Sequence, residues 1–334
     1  MIGREATMAT ARRAGHSGAV PTADLQRDPV DSPQALAWAL ERVGYLADVG
    51  LSTAAFLALR LHRPIFLEGE AGVGKTAFAE ALAETTGQEL IRLQCYEGLD
   101  AAQALYDWDF PRQILHLRAV EAARHADGAD AADARALEDG LYDRRFLIAR
   151  PLLRALESAP CVLLVDELDR ADDEFEAYLL ELFADWAVSI PELGRVRAQT
   201  PPTVVVTSNR TREVHDALKR RCLYHWIDHP DLDREVAILR LRLPDVAKRL
   251  AVEVAAATAR LRAADLVKPP GVAEAIDWAR ALRELGSDGL TPEVASATLG
   301  AVLKVREDTD RVRGRLDAVL AEAAALTETY AGER

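Results

Sequence analysis

Four short groups of residues have the types and the order that phosphate chemistry needs. The first is Gly69-Glu70-Ala71-Gly72-Val73-Gly74-Lys75-Thr76, with Gly69 and Gly74 at the spacing of a phosphate-binding P-loop. Its glycines let successive backbone N–H groups turn toward an anion. Lys75 can reach β- and γ-phosphates, and the Thr76 hydroxyl suits Mg²⁺. The stretch from Glu70 through Ala71, Gly72, Val73 and Gly74 to Lys75, Thr76 and Ala77 is therefore the expected cradle for ATP. The second group, Asp166-Glu167, closes the apolar run Val162–Val165 about ninety residues later. Asp166 at such a strand end would join Thr76 in holding Mg²⁺, and Glu167 would polarise an attacking water. Third, Asn209 follows a Val-rich run and could set an amide beside the γ-phosphate. Asn is also a common turn residue, so this role rests on its order in the chain. Last come Arg220 and Arg221, which read either as a solvated pair or as a source of an arginine finger for a neighbouring subunit's nucleotide.

These residues need a scaffold of buried strands and covering helices. Ile65–Leu67, Leu90–Leu93, Val162–Val165, Thr203–Thr207 and Leu223–Ile227 are apolar runs of strand length. Between them, residues 77–87 place Phe78 and Leu82 on one helical face ahead of Gly87, and helices are also expected near 150–158, 173–186 and 214–219. Residues 187–198 read as a hairpin turning at Glu192-Leu193-Gly194. Ahead of the first strand, Asp31-Ser32-Pro33 opens a helix that Gly44 stops, and a second helix is expected from about Ser52. Tyr45 and Leu46, between the two, are read equally as contacts to adenine and as core packing.

With 334 residues, 49% of them hydrophobic, the chain can fill one large or two ordinary domains. A net charge of −13 argues against a broad electrostatic grip on nucleic acid. Cys95, Cys161 and Cys222 lie too far apart for a zinc ribbon or a disulfide framework. No stretch approaches the ~20 apolar residues of a membrane span, and the first thirty residues lack an apolar signal core, so a cytoplasmic protein is expected. Residues 1–28, with Arg4, Arg12 and Arg13 among small and polar residues, read as a disordered tail. A nucleotide-binding α/β domain over 29–230 and a helical domain over 231–330 follow from the pattern. Residues 95–118 carry Tyr96, Tyr106, Trp108 and Phe110 among Asp100, Asp107 and Asp109. Such a cluster suits either contact with protein, with Trp108 as the anchor, or packing on its own domain, but not a basic nucleic-acid platform. The Ala/Asp/Gly-rich run 123–140 reads as a mobile loop or a frayed helix end. Beyond residue 231, helices are expected over 233–243, 246–261 and 272–285 and from Thr291-Pro292, and a last amphipathic stretch, 316–330, would close the helical domain or pack on a neighbour.

The order of P-loop, Asp166-Glu167, Asn209 and paired arginines resembles the AAA+ ATPases. Tyr45-Leu46-Ala47-Asp48, the P-loop itself, Asp166–Ala171, Ile190–Gly194, Thr207–Glu213 and Leu218–Tyr224 are similar to the MoxR branch, above all to the accessory ATPase found with carbon monoxide dehydrogenase and related molybdenum hydroxylases. The resemblance implies an α/β fold with a five-stranded parallel sheet in the order 5-1-4-3-2, followed by an all-α lid. It also implies a homo-oligomeric ring, a hexamer, and a client protein together with a partner carrying a von Willebrand A domain. Arg221 stands where clamp-loader-like sequences have their finger, ahead of Arg220. Relatives usually offer a Ser-Pro-Arg sensor 2, and the matching stretch here is Lys268-Pro269-Pro270. Either Lys268 substitutes, or the lid supplies no cation. A magnesium-chelatase-like subunit, a nucleic-acid motor and a low-turnover nucleotide-gated scaffold are the alternative readings.

Overall fold

The computed structural model describes residues 30–127 and 140–332. The expected tail over 1–28 lies outside the described residues. Nine strands occur among them: β1 (Ile65–Glu68), β2 (Glu89–Gln94), β3 (Tyr106–Trp108), β4 (Leu147–Ala149), β5 (Cys161–Asp166), β6 (Ala187–Ile190), β7 (Gly194–Arg197), β8 (Thr203–Ser208) and β9 (Leu223–Trp226). Five of them form one sheet in the order β2-β5-β8-β1-β9, every pairing parallel. Counting only those five along the chain, the order is 5-1-4-3-2, as expected.

A parallel sheet is covered on both faces, which is why its strands are apolar throughout rather than alternating. All six residues of β5 are buried. Successive side chains then feed two cores. Phe66, Leu163, Val165, Val204 and Val206 enter one. Ile65, Leu67, Val162, Leu164 and Val205 enter the other. Each such residue contributes ~1.5–3 kcal/mol relative to an exposed position. Between β8 and β9, β1 sits where the strand order reverses, and open α/β sheets bind ligands beyond the carboxyl ends at such a point.

Ahead of the sheet, Pro33–Arg42 is a helix capped by Ser32 with proline at its first turn. The following helix is Val49–Leu61, starting earlier than the apolar spacing suggests because the Asp48 carboxylate accepts the Leu51 N–H at 2.6 Å. In the aromatic segment, Ala101–Leu105 is a short helix, β3 pairs antiparallel with β4, and a long helix spans Phe110–Asp127. Trp108 is half-buried there, edge-on to Tyr142 at 5.3 Å and to Tyr106 at 6.1 Å, and packed on the sheet's core. Of the two readings of this segment, packing on its own domain describes Trp108, while Tyr96 and Phe110 stay exposed. The low-complexity run begins as the end of that long helix, and 128–139 lie outside the described residues. The hairpin is present as β6–β7, with Gly194 at φ +82°.

After the sheet, Leu232–Arg242, Lys248–Ala263, Val272–Glu284, Pro292–Val302, Arg306–Arg313 and Leu316–Gly332 are helices with a core of their own. Fully buried Trp278 lies in that core and donates from Nε1 to Thr298 Oγ1 at 2.8 Å. Leu316, Val319 and Ala323 of the last helix pack into it, so this segment closes its own domain. Helix Arg306–Arg313 was not expected. Its eight residues contain a single apolar side chain, Val312, and periodicity has nothing to register. Buried Glu235 accepts two 2.7 Å bonds from Arg262, whose Nε also reaches the Pro270 carbonyl, and this ties two helices to the turn before the third. No helix among the described residues is long and apolar enough to cross a membrane.

Candidate functional site

Where β1 ends, Gly72 (φ +80°) and Gly74 (φ +98°) carry the chain through left-handed turns into helix Lys75–Thr86, whose first N–H groups have no side-chain cap. That is the geometry in which backbone amides face an anion. Lys75 is buried, with Nζ donating to the Gly69 carbonyl at 2.7 Å and the Glu70 carbonyl at 2.6 Å. Burial pushes its ammonium down to about 8, against the opposing pull of Asp169, Asp166, Glu167 and Glu70.

Across the cleft, Asp166 is 2% exposed at the end of β5. Thr76 donates to its Oδ1 at 3.1 Å, Thr207 donates to the same oxygen at 2.6 Å, and Arg92 pairs with its Oδ2. A hydroxyl beside one buried carboxylate is the hard-oxygen donor set with which Mg²⁺ joins substrate phosphates, and it fits that ion. Among the described residues no cluster of three or more acidic, His or Cys side chains could hold a metal alone. Glu167 adopts φ +55°, ψ +51°, a region that strains a residue with a Cβ and that functional sites tolerate. The bend is held by the Glu167 N–H, which donates to Thr207 Oγ1 at 2.9 Å. One threonine thus orients both acids. Asn209 Nδ2 donates to Glu167 Oε1 at 3.1 Å, while Gln94 and Arg170 each donate to Oε2 at 3.0 Å. Buried Asp169 fixes the other side of Asn209. It accepts the Asn209 N–H at 3.1 Å, the Thr211 N–H at 2.8 Å and the Thr211 hydroxyl at 2.6 Å.

These groups border a cavity of about 460 Å³ between the sheet's carboxyl ends and helices Leu232–Arg242 and Val272–Glu284. Residues 71–77, Asp166, Glu167 and Asn209 line it, as do Tyr45 and Leu46. Tyr45 also meets Phe78 edge-on at 5.6 Å, so it serves the core as well as the cavity wall. Glu70 departs from expectation. It offers only its carbonyl to Lys75, and its carboxylate lies 3.0 Å from His229 Nε2. Lys268 departs further: it is exposed outside the cavity, where its N–H donates to Asp308. From the helical region Arg234 and Arg242 line the cavity instead, and Arg234 Nη2 donates to the Leu46 carbonyl at 2.8 Å.

Contact between the helical region and the P-loop is made by backbone. Val272 N–H donates to the Gly72 carbonyl at 2.9 Å. A Cβ on Gly271 would sit 2.7 Å from Gly72 Cα and 2.9 Å from the Ala71 carbonyl oxygen, so only glycine allows the approach. Arg220 and Arg221 are exposed and do not line the cavity of their own chain. Sequence reasoning missed Thr207, Asp169, Gln94, Arg92 and Arg234. A threonine closing a valine run was the one signal available for Thr207.

The geometry above is that of a nucleotide-binding P-loop domain. Residues 64–222 match the AAA domain, dynein-related subfamily. The matched stretch covers four of the sheet's five strands, β1, β2, β5 and β8, and ends just before β9; the match supports nucleotide binding and ATP hydrolysis as the general kind of activity. Over 48 residues the chain is 48% identical to midasin of Giardia intestinalis, a stretch that spans 14% of this chain and 1% of that much longer protein. Among solved structures, the Thermotoga maritima RuvB Holliday junction branch migration motor is similar over 82% of this chain and 78% of its own, at 15% identity and a TM-score of 0.45. A mutant of Thermotoga maritima RuvB is similar over 78% and 69%, at 17% identity and a TM-score of 0.46.

Proposed function

We propose that the chain binds ATP with Mg²⁺ in this cavity, hydrolyses it, and uses the cycle to remodel a protein partner. The observation that carries the reading is the convergence of Lys75, Thr76, Asp166, Glu167 and Asn209 from three different segments onto one cavity under the helical region. Lys75 holds the β- and γ-phosphates, and the N–H groups of residues 72–76 cradle them. Thr76 and Asp166 would hold Mg²⁺, which when bound neutralises phosphate charge. Glu167 orients a water and draws off its proton as the water's oxygen bonds to the γ-phosphorus and the bond to ADP breaks. Asn209, held by Asp169, keeps the Glu167 carboxylate aimed. Tyr45 and Leu46 flank the base.

Arg221, and after it Arg220, would complete a neighbour's site, which makes the working form a ring, in our reading a hexamer. The MoxR-like phrases support a client protein and a von Willebrand A domain partner, with maturation of a molybdenum-hydroxylase type of metalloenzyme as the setting. The acidic net charge favours a protein client over a nucleic acid. Two measurements test this: Lys75→Ala should lose tight ATP binding, and phosphate release by the unaltered protein should not respond to added DNA or RNA. Turnover stimulated by nucleic acid would contradict the choice of client.

A further inference from the structure

We propose that Arg63 is a positioning residue. From just ahead of β1 it fixes the end of the helix carrying Arg220 and Arg221, so that hydrolysis on a neighbouring subunit depends on it. This rests on the reading of those arginines as acting between subunits.

Arg63 Nη2 donates to the Arg220 carbonyl at 2.8 Å and to the Cys222 carbonyl at 3.4 Å, and its Nε donates to the Arg221 carbonyl at 3.1 Å. Carbonyls at a helix end lack intrahelical donors and carry the negative end of the dipole, so a guanidinium fits them in both charge and shape. The helix concerned, Asp216–Arg221, is a turn and a half long and has little rigidity of its own. A second clasp holds it at the other end of β1. Lys219 Nζ lies 3.2 Å from Oε1 of buried Glu68, whose Oε2 accepts the Tyr224 hydroxyl at 2.9 Å. Glu68 immediately precedes Gly69, whose carbonyl accepts the Lys75 ammonium. Both ends of the P-loop strand therefore grip the arginine-bearing helix.

The grip falls on backbone carbonyls and on the Lys219 side chain, and leaves the arginine side chains available. Among the described residues, Arg221 reaches only the Leu180 carbonyl, at 3.2 Å, and Arg220 makes no side-chain hydrogen bond or ion pair. Flexible side chains that must meet a phosphate on another molecule depend on a fixed base, because a misplacement of about 1 Å can cost about a hundredfold in rate. Arg63 has no contact with the cavity, which separates its role from nucleotide binding.

The test is Arg63→Ala. ADP affinity should stay within about twofold of the unaltered protein, while turnover in the assembled protein falls by about tenfold or more. Mixing Arg63→Ala with Glu167→Gln subunits should restore turnover above the sum of the two alone, because an intact Glu167 then faces properly held arginines. Should Arg63→Ala unfold early, Arg63→Lys keeps the charge without bridging three carbonyls and is read in the same way. Unchanged turnover, or a loss that mixing does not restore, would overturn the proposal. The double variant Arg220→Ala/Arg221→Ala separates the two levels. If it turns over normally, the trans-arginine reading fails; if it is inactive while Arg63→Ala is normal, only the role of Arg63 fails.

Discussion

Burial of Lys75 has a measurable consequence for how nucleotide binding depends on pH. Its ammonium lies near 8 because the cradle strips water from it, and the negative charges of Asp169, Asp166, Glu167 and Glu70 compensate only in part. Phosphate binds the charged form, so raising pH through 8 removes the cation that the ligand needs. With half the population charged at about pH 8, about nine-tenths is charged at pH 7 and about one-tenth at pH 9, which weakens ADP binding by about tenfold over that range. That is about 1.4 kcal/mol. Binding at pH 9 should take up close to one proton per site, against about a tenth of a proton at pH 7. Stability of the unliganded protein moves the other way. Between about 8 and 10.5 the unfolded chain keeps a proton that the folded one has released, so this group's contribution rises with pH, by at most about 3 kcal/mol. Calorimetric titration of ADP in buffers of different ionisation enthalpy reads the proton uptake directly. An affinity that is flat from pH 7 to 9, with no proton taken up at pH 9, would refute the argument.

Three other outcomes follow from packing. Asp169→Ala removes the acceptor of two backbone amides and a hydroxyl at a part-buried turn, which should destabilise by about 1–2 kcal/mol and lower turnover through a loosened Asn209; an unchanged melting temperature would exclude the role. Gly271→Ala forces the helical region off the P-loop and should weaken nucleotide affinity several-fold, whereas Gly300→Ala, where a Cβ meets nothing within 4 Å, should not. Trp108→Ala should lower the melting temperature, at a cost of about 2 kcal/mol, and leave ADP affinity unchanged. Retained stability would return Trp108 to the surface.

How far the sequence could be read depended on whether the chemistry was contiguous in it. Gly69 to Thr76 fold as one turn between a strand and a helix, so their spacing alone forecast that Thr76 and Asp166 would meet once β1 and β5 were recognised as buried strands. The supporting residues are different. Asp169 reaches Thr211 across 42 positions, and Arg63 reaches Arg220 across 157. Nothing local marks a carboxylate or a guanidinium that will meet a backbone group so far away. Whether Lys268 replaces the sensor 2 arginine was open in the sequence for a related reason: Arg262 on the Pro270 carbonyl and Asp308 on the Lys268 N–H hold that turn away from the cavity, and neither partner is local to it in the motif. For Trp108 the sequence left packing and partner contact open, because its neighbour across the β3–β4 pair comes about forty residues later and follows a run with no apolar period.

The central claim is that Glu167 activates water in a site that otherwise binds ATP through the P-loop. Phosphate release and ATP affinity measured on Glu167→Gln test it most directly, since the substitution keeps the side chain's shape and removes its charge. The account predicts ATP bound about as tightly as by the unaltered protein, with turnover lower by about a hundredfold or more. Unchanged turnover in Glu167→Gln would contradict it.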